Sequence, residues 1–140
     1  MMSEFKVISL NIAMSLLSIS DVLRIDEPEL LFLQEVNSST QTLCSRVSSL
    51  GYWGECNVDP VHPNLPGTAV VWKKSLKVSE VNQILERRVM SLRCACEVFV
   101  NIYAPSPWGP SSYPSWLGTE IWYWQSVTET RNFPTKNVQF

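Results

Sequence analysis

The chain has 140 residues, with 11 basic and 13 acidic side chains giving a net charge of −2, and 45% of its residues are apolar. That length suits one domain able to bury about 70% of the surface its unfolded chain exposes, and the composition excludes wholesale disorder. The three aspartates (Asp21, Asp26, Asp59) and the single histidine (His62) all precede residue 63, so no chemistry that needs Asp or His can come from the stretch from Pro63 to Phe140.

Residues 5–12 (FKVISLNI) alternate as a strand should, and they carry Asn11 to the strand's C-terminal end. Apolar residues from Leu16 to Ile25 recur at three- and four-residue spacings and stop before Pro28, which predicts a short amphipathic helix. The run at 29–36 (ELLFLQEV) reads as a buried strand with Gln34 and Glu35 at its far end. Ser38, Ser39 and Thr40 offer N-caps to a second helix carrying Leu43, Val47 and Leu50, which Gly51 terminates. Further strands are predicted at 52–58, 67–72, 84–92 and 97–103, with a proline-rich loop at 59–67. The first 104 residues therefore give about six strands and two helices.

At Pro105 the composition changes. Residues 105–140 hold five of the nine prolines and four of the six tryptophans, which sets them apart as a second segment. The prolines at 105, 107, 110 and 114 exclude regular structure to about Ser115, and the apolar stretch 117–127 fits one helix or one strand without a period to decide between them. No internal repeat, signal-peptide core or membrane-length apolar run is present, so the chain reads as intracellular, nuclear or cytoplasmic. Cys44, Cys56, Cys94 and Cys96 are too irregularly spaced for a disulfide scaffold. Cys94 and Cys96 read as buried thiols on one strand face rather than as zinc ligands with Cys56 and His62. Lys73, Lys74 and Lys77 read as a solvated strand end.

If the first two strands are parallel neighbours joined by the intervening helix, Asn11 and Glu35 emerge on one rim of the sheet, where sites form in such units. A carboxylate and a carboxamide there present oxygen ligands to a hard cation such as Mg2+, although a strand-end glutamate also serves as a solvated cap. His62 lies in the proline-rich loop and reads as a surface or loop-packing residue.

The stretches FKVISLNI, PELLFLQEV, GTAVVWKKSL and VFVNIYAPS, in this order over residues 5 to 106, resemble the N-terminal half of the endonuclease/exonuclease/phosphatase superfamily. Within it they are most similar to the apurinic-type endonuclease domains of LINE retrotransposons. The resemblance implies an α/β four-layer sandwich, two mixed sheets flanked by helices, that cleaves DNA phosphodiesters with Mg2+. It makes residues 1–104 the N-terminal part of such a domain, a truncated half-domain, and leaves 105–140 as a divergent tail foreign to the family. It assigns Glu35 to the metal, with Asn11 in the same polar network, and brings Tyr103 to the scissile phosphate with Asn101 one alternate position before it.

The family's later Gly-Asp-x-Asn and Ser-Asp-His segments have no counterpart here, so the general base and its orienting carboxylate are missing and this chain is expected to turn over little. A first sheet without the second half is expected to expose an apolar face, inviting self-association or partial cover by Trp116, Ile121, Trp122 and Trp124. Two further readings are a non-catalytic nucleic-acid or protein interaction remnant and a transposon relic without function.

Overall fold

The computed structural model describes residues 5–62, 64–94, 97–103, 121–124 and 129–133. Strand β1 (Phe5–Asn11) leads through helix α1 (Ile19–Asp26) to β2 (Leu30–Val36), and the two strands pair in parallel from Val7↔Leu30 to Asn11↔Gln34. Glu27 ends α1 in the left-handed conformation just before Pro28, which cannot extend the helix. Helix α2 (Thr40–Val47) starts where the Ser39 hydroxyl accepts from Thr42 N at 3.1 Å. A single 3-10 turn (Ser48–Leu50) then runs to Gly51, whose φ of 89° requires glycine.

Strands β3 (Tyr52–Asn57) and β4 (Gly67–Lys73) are antiparallel, and β4 inserts beside β2. Strands β5 (Val78–Leu85), β6 (Val89–Cys94) and β7 (Glu97–Ile102) form an antiparallel meander in a second sheet. β8 (Ile121–Trp124) lies parallel to β7, and β9 (Glu129–Phe133) lies antiparallel to β1. The five-stranded sheet has the order β3-β4-β2-β1-β9 and the four-stranded sheet the order β5-β6-β7-β8.

Strand alternation sorts the apolar residues into two cores. Ile8, Leu31, Leu33, Val36, Ala69 and Val71 face the helices, where they meet Ile19, Leu23, Leu43 and Val47. Val7, Leu30, Phe32 and Val70 face the other way, onto Met90, Leu92 and Phe99 of the second sheet. Helices, sheet and second sheet thus form three successive layers, an α/β arrangement with two sheets packed face to face.

Two sequence expectations are corrected. Residues 84–92 are not one strand but the end of β5, a turn and the start of β6, because Arg87 adopts a φ of 62° and turns the chain with neither glycine nor proline to mark the place. The missed strand β5 is mostly exposed, and its apolar residues Val78, Val81 and Ile84 fall three apart, without a strand's alternation. In consequence the apolar face of the first sheet is not left uncovered, since β6 and β7 bury it from within the first 104 residues.

The apolar stretch left undecided by periodicity includes strand β8. Residues 105–120, with their four prolines and Trp116, and the thiol of Cys96 lie outside the described residues. No helix among the described residues is long and apolar enough to cross a membrane.

Candidate functional site at the strand ends

The C-terminal ends of β1 and β2 open on one rim of the first sheet, and the end of β7 meets them from the second. Where β2 should carry Glu35 toward the helices, the β2–β4 register shifts between Gln34 and Val36, and Glu35 takes a φ of 57°. This bulge keeps Val36 in the helix-side core beside Leu33 and frees Glu35 to turn toward the second sheet. Gly67 makes the bulge possible: paired with Val36, it has no room for a Cβ, which would lie 2.2 Å from the Asn57 carbonyl oxygen.

Glu35 there meets Tyr103. The Tyr103 hydroxyl donates to Glu35 Oε1 at 3.4 Å, and its backbone N–H donates to Arg88 O at 2.8 Å. Burial, and then the adjacent Glu35 carboxylate, raise the Tyr103 phenol above its ordinary range against the opposing pull of Arg88 and Arg87. The Arg88 guanidinium lies over the Tyr103 ring, 5.4 Å from its centroid. Its Nη1 is enclosed by protein and has no hydrogen-bond partner. The guanidinium thus brings a positive charge to the Tyr103 ring beside the rim, with one of its nitrogens shielded from solvent.

Asn11 ends β1 opposite Gln34. Its side-chain oxygen accepts from Ala13 N at 2.9 Å, and the following Met14 N donates to the Glu35 backbone oxygen at 2.9 Å. The loop carrying Asn11 is thereby tied to the bulge carrying Glu35. Asn101 occupies a different place. It is fully buried between the sheets, where its amide donates to Leu33 O at 3.0 Å and Ala69 O at 2.9 Å while its oxygen accepts from Gln34 Nε2 at 2.9 Å. Gln34 Nε2 also reaches Ser9 Oγ at 3.0 Å. Of the four residues singled out from sequence, Glu35 and Tyr103 touch, Asn11 joins them through the loop backbone, and Asn101 supports them from the interior.

His62 stands on the exposed β3–β4 loop, with its Nδ1 3.2 Å from Asp59 Oδ2. The Val61 backbone N–H and the His62 contacts hold the Asp59 carboxyl below the usual carboxylate range. Lys73 pairs with Glu29 at 3.3 Å, and Lys74 lies over Trp53, both at the opposite end of the sheet from Glu35. Sequence reasoning missed Arg88. It sat inside what looked like a continuous strand, and only the unmarked turn at Arg87 reveals that it faces the rim.

Among the described residues no group of three or more His, Cys, Asp or Glu gathers. The oxygen groups this rim could offer a hard cation are the Glu35 carboxylate and the Asn11 carboxamide, whose oxygen also accepts from Ala13 N.

Two sheets face to face with a helix layer outside the first form a fold that this chain shares with solved structures of low sequence identity. The solved structures it matches include an AP endonuclease from Archaeoglobus fulgidus, at a TM-score of 0.60 and 19% identity over 72% of this chain and 41% of that one. The 3′-5′ exonuclease NExo from Neisseria meningitidis matches at 0.60 and 18% identity, over 71% and 41%. The human Nocturnin catalytic domain matches at 0.56 and 21% identity, over 75% and 52%. The chain thus spans between about two fifths and one half the length of these structures. No family model and no curated protein matches the sequence.

Proposed function

We propose that this chain is the N-terminal part of a Mg2+-dependent phosphodiesterase domain acting on DNA, of the kind found in LINE retrotransposons, and that as it stands it binds a phosphodiester far better than it cleaves one. The observation that carries the reading is the grouping at one rim of Glu35, the Tyr103 hydroxyl bonded to it, and the Arg88 guanidinium stacked on the Tyr103 ring. The four sequence stretches over residues 5 to 106 support the LINE type, and residues 105–140 form its divergent tail.

Each residue has a distinct task. The Arg88 guanidinium, stacked on the Tyr103 ring, supplies positive charge beside the rim that offsets the charge of a phosphodiester. The Tyr103 hydroxyl gives its one proton to Glu35 and so orients that carboxylate, while its ring carries the Arg88 guanidinium. Glu35 and Asn11 would hold the cation, which would withdraw charge from the phosphoryl oxygens. Water activation is where the chain falls short. His62 is tied to Asp59 on an exposed loop, and no aspartate or histidine follows it. General acid–base help is typically worth about 10²- to 10⁴-fold, so turnover is suppressed by at least that factor.

The test pairs binding with cleavage. Expected are Mg2+-dependent binding of a short DNA duplex that Glu35→Ala and Arg88→Ala both weaken, and no nicking of supercoiled plasmid above the buffer rate. Robust nicking that Glu35→Ala abolishes would refute the inactivity. Binding indifferent to Mg2+ and to both substitutions would refute the site.

A further inference from the structure

The tip of the β5–β6 hairpin is held by a residue from the other sheet. Asn57, at the end of β3 and only 1% exposed, points its carboxamide into the turn. Its oxygen accepts from Arg87 N at 3.0 Å, and its amide donates to Leu85 O at 2.9 Å and Val89 O at 3.3 Å. One side chain thus satisfies a donor and two acceptors of the turn at the point where Arg87 takes a φ of 62°. The Arg87 side chain adds a second tie, donating from Nη1 to Pro66 O at 3.1 Å on the β3–β4 loop.

The turn so fixed is the one that presents Arg88. Val89 pairs with Ile102, and Arg88 O accepts from Tyr103 N, so the position of the hairpin tip sets where the Arg88 guanidinium meets the Tyr103 ring. We infer that Asn57 is the positioning residue of the anion site, locking the hairpin tip so that the Arg88 guanidinium stays stacked on the Tyr103 ring. Its functional consequence rests on the reading of that rim as a phosphodiester site; its structural content does not.

The experiment uses the full chain and two readouts. In the wild type the Tyr103 ring is expected to shift the Arg88 δ-protons upfield, an NMR signature that Arg88→Ala should remove and Tyr103→Leu relieve. Asn57→Ala is expected to relieve that shift while the helix-side amides of Leu31 and Val71 keep their protection. Affinity for inorganic phosphate is expected to fall about ten-fold, as for the loss of a charged hydrogen bond. In the Arg88→Ala background the same substitution is expected to change phosphate affinity no further. A retained ring-current shift, or additive losses in the double variant, would overturn the inference. Should Asn57→Ala not fold, Asn57→Ser, whose hydroxyl is too short to span the turn, is read by the same criteria. If the wild type binds no phosphate, the phosphodiester reading fails, and the ring-current comparison still decides the role of Asn57.

Discussion

The Gln34 side-chain amide donates to the Asn101 carboxamide oxygen at 2.9 Å, joining the two sheets through residues 67 positions apart. Asn101 also supplies both of its N–H groups to main-chain oxygens of the first sheet, Leu33 O and Ala69 O. A buried carboxamide with this many partners holds the sheets in register, and it leaves no group to reach a substrate. Asn101→Ala should therefore cost about 3 kcal/mol, since it strands two carbonyls and an amide in the interior. Tyr103→Phe, which removes a contact of 3.4 Å, longer than the usual O–H···O range, should cost about 1 kcal/mol or less. Urea denaturation of the two variants separates a residue that builds the fold from one that serves the rim.

The left-handed backbone of Glu35 makes a second prediction. A non-glycine residue there carries a penalty of about 1–2 kcal/mol, partly matched by the greater chain entropy glycine loses on folding. Glu35→Gly should fold more stably than Glu35→Ala by up to about 1 kcal/mol, although both lose the carboxylate. Equal denaturation midpoints for the two would show that the bulge carries no strain. A Glu35→Gly variant that is more stable than wild type yet binds DNA without response to Mg2+ would mark Glu35 as a residue held in place at the expense of stability.

Most of the first sheet is legible in the sequence because its signals are local. FKVISLNI and ELLFLQEV are apolar runs with polar ends, and Pro28 and Gly51 close the helices by chain geometry alone. The second sheet is less legible. β5 is a mostly exposed edge strand whose apolar residues Val78, Val81, Ile84 and Leu85 do not alternate, and its turn is formed by Arg87 under the control of Asn57, 30 residues away. The same remoteness explains the site. Asn11 and Glu35 are readable as strand ends, whereas the contact of Tyr103 with Glu35 and the stacking of Arg88 on Tyr103 arise from packing one sheet on another.

The edge strands drawn from the tail give a third prediction. β9 covers the outer edge of β1 from Phe5↔Phe133 to Ser9↔Glu129, and β8 covers that of β7 from Val98↔Ile121 to Asn101↔Trp124. Deleting residues 104–140 exposes the main-chain donors and acceptors of both strands, and bare edges template pairing with other chains. The shortened chain should self-associate with concentration where the full chain does not, as sedimentation velocity would show. A monodisperse shortened chain at the same concentration would mean that the edges of β1 and β7 are protected without the tail.

The last prediction concerns alkaline pH. Burial, with Cys44 and Glu55 nearby, pushes the Cys56 thiol from 9.0 up to about 12, against a smaller lowering from the Thr40 hydrogen bond. Burial, with Glu27 and Glu29 nearby, pushes the Tyr52 phenol from 10.0 up to about 12. Both groups keep their protons longer in the fold than in the unfolded chain, so the unfolded state loses protons first as pH rises and is favoured by doing so. The stability these groups contribute is intact below pH 9 and is lost progressively as pH rises to about 12. Cys56→Ala and Tyr52→Phe should each lower stability at pH 7, the second through the lost hydrogen bond from the Tyr52 hydroxyl to Pro28 O at 2.8 Å. Each should also flatten the fall of the thermal midpoint between about pH 9 and 11, and the double variant should flatten it most. A midpoint that drops with the wild-type slope in the double variant would assign the alkaline loss to other groups, with Cys94 and Tyr103, both raised chiefly by burial, next to be tested.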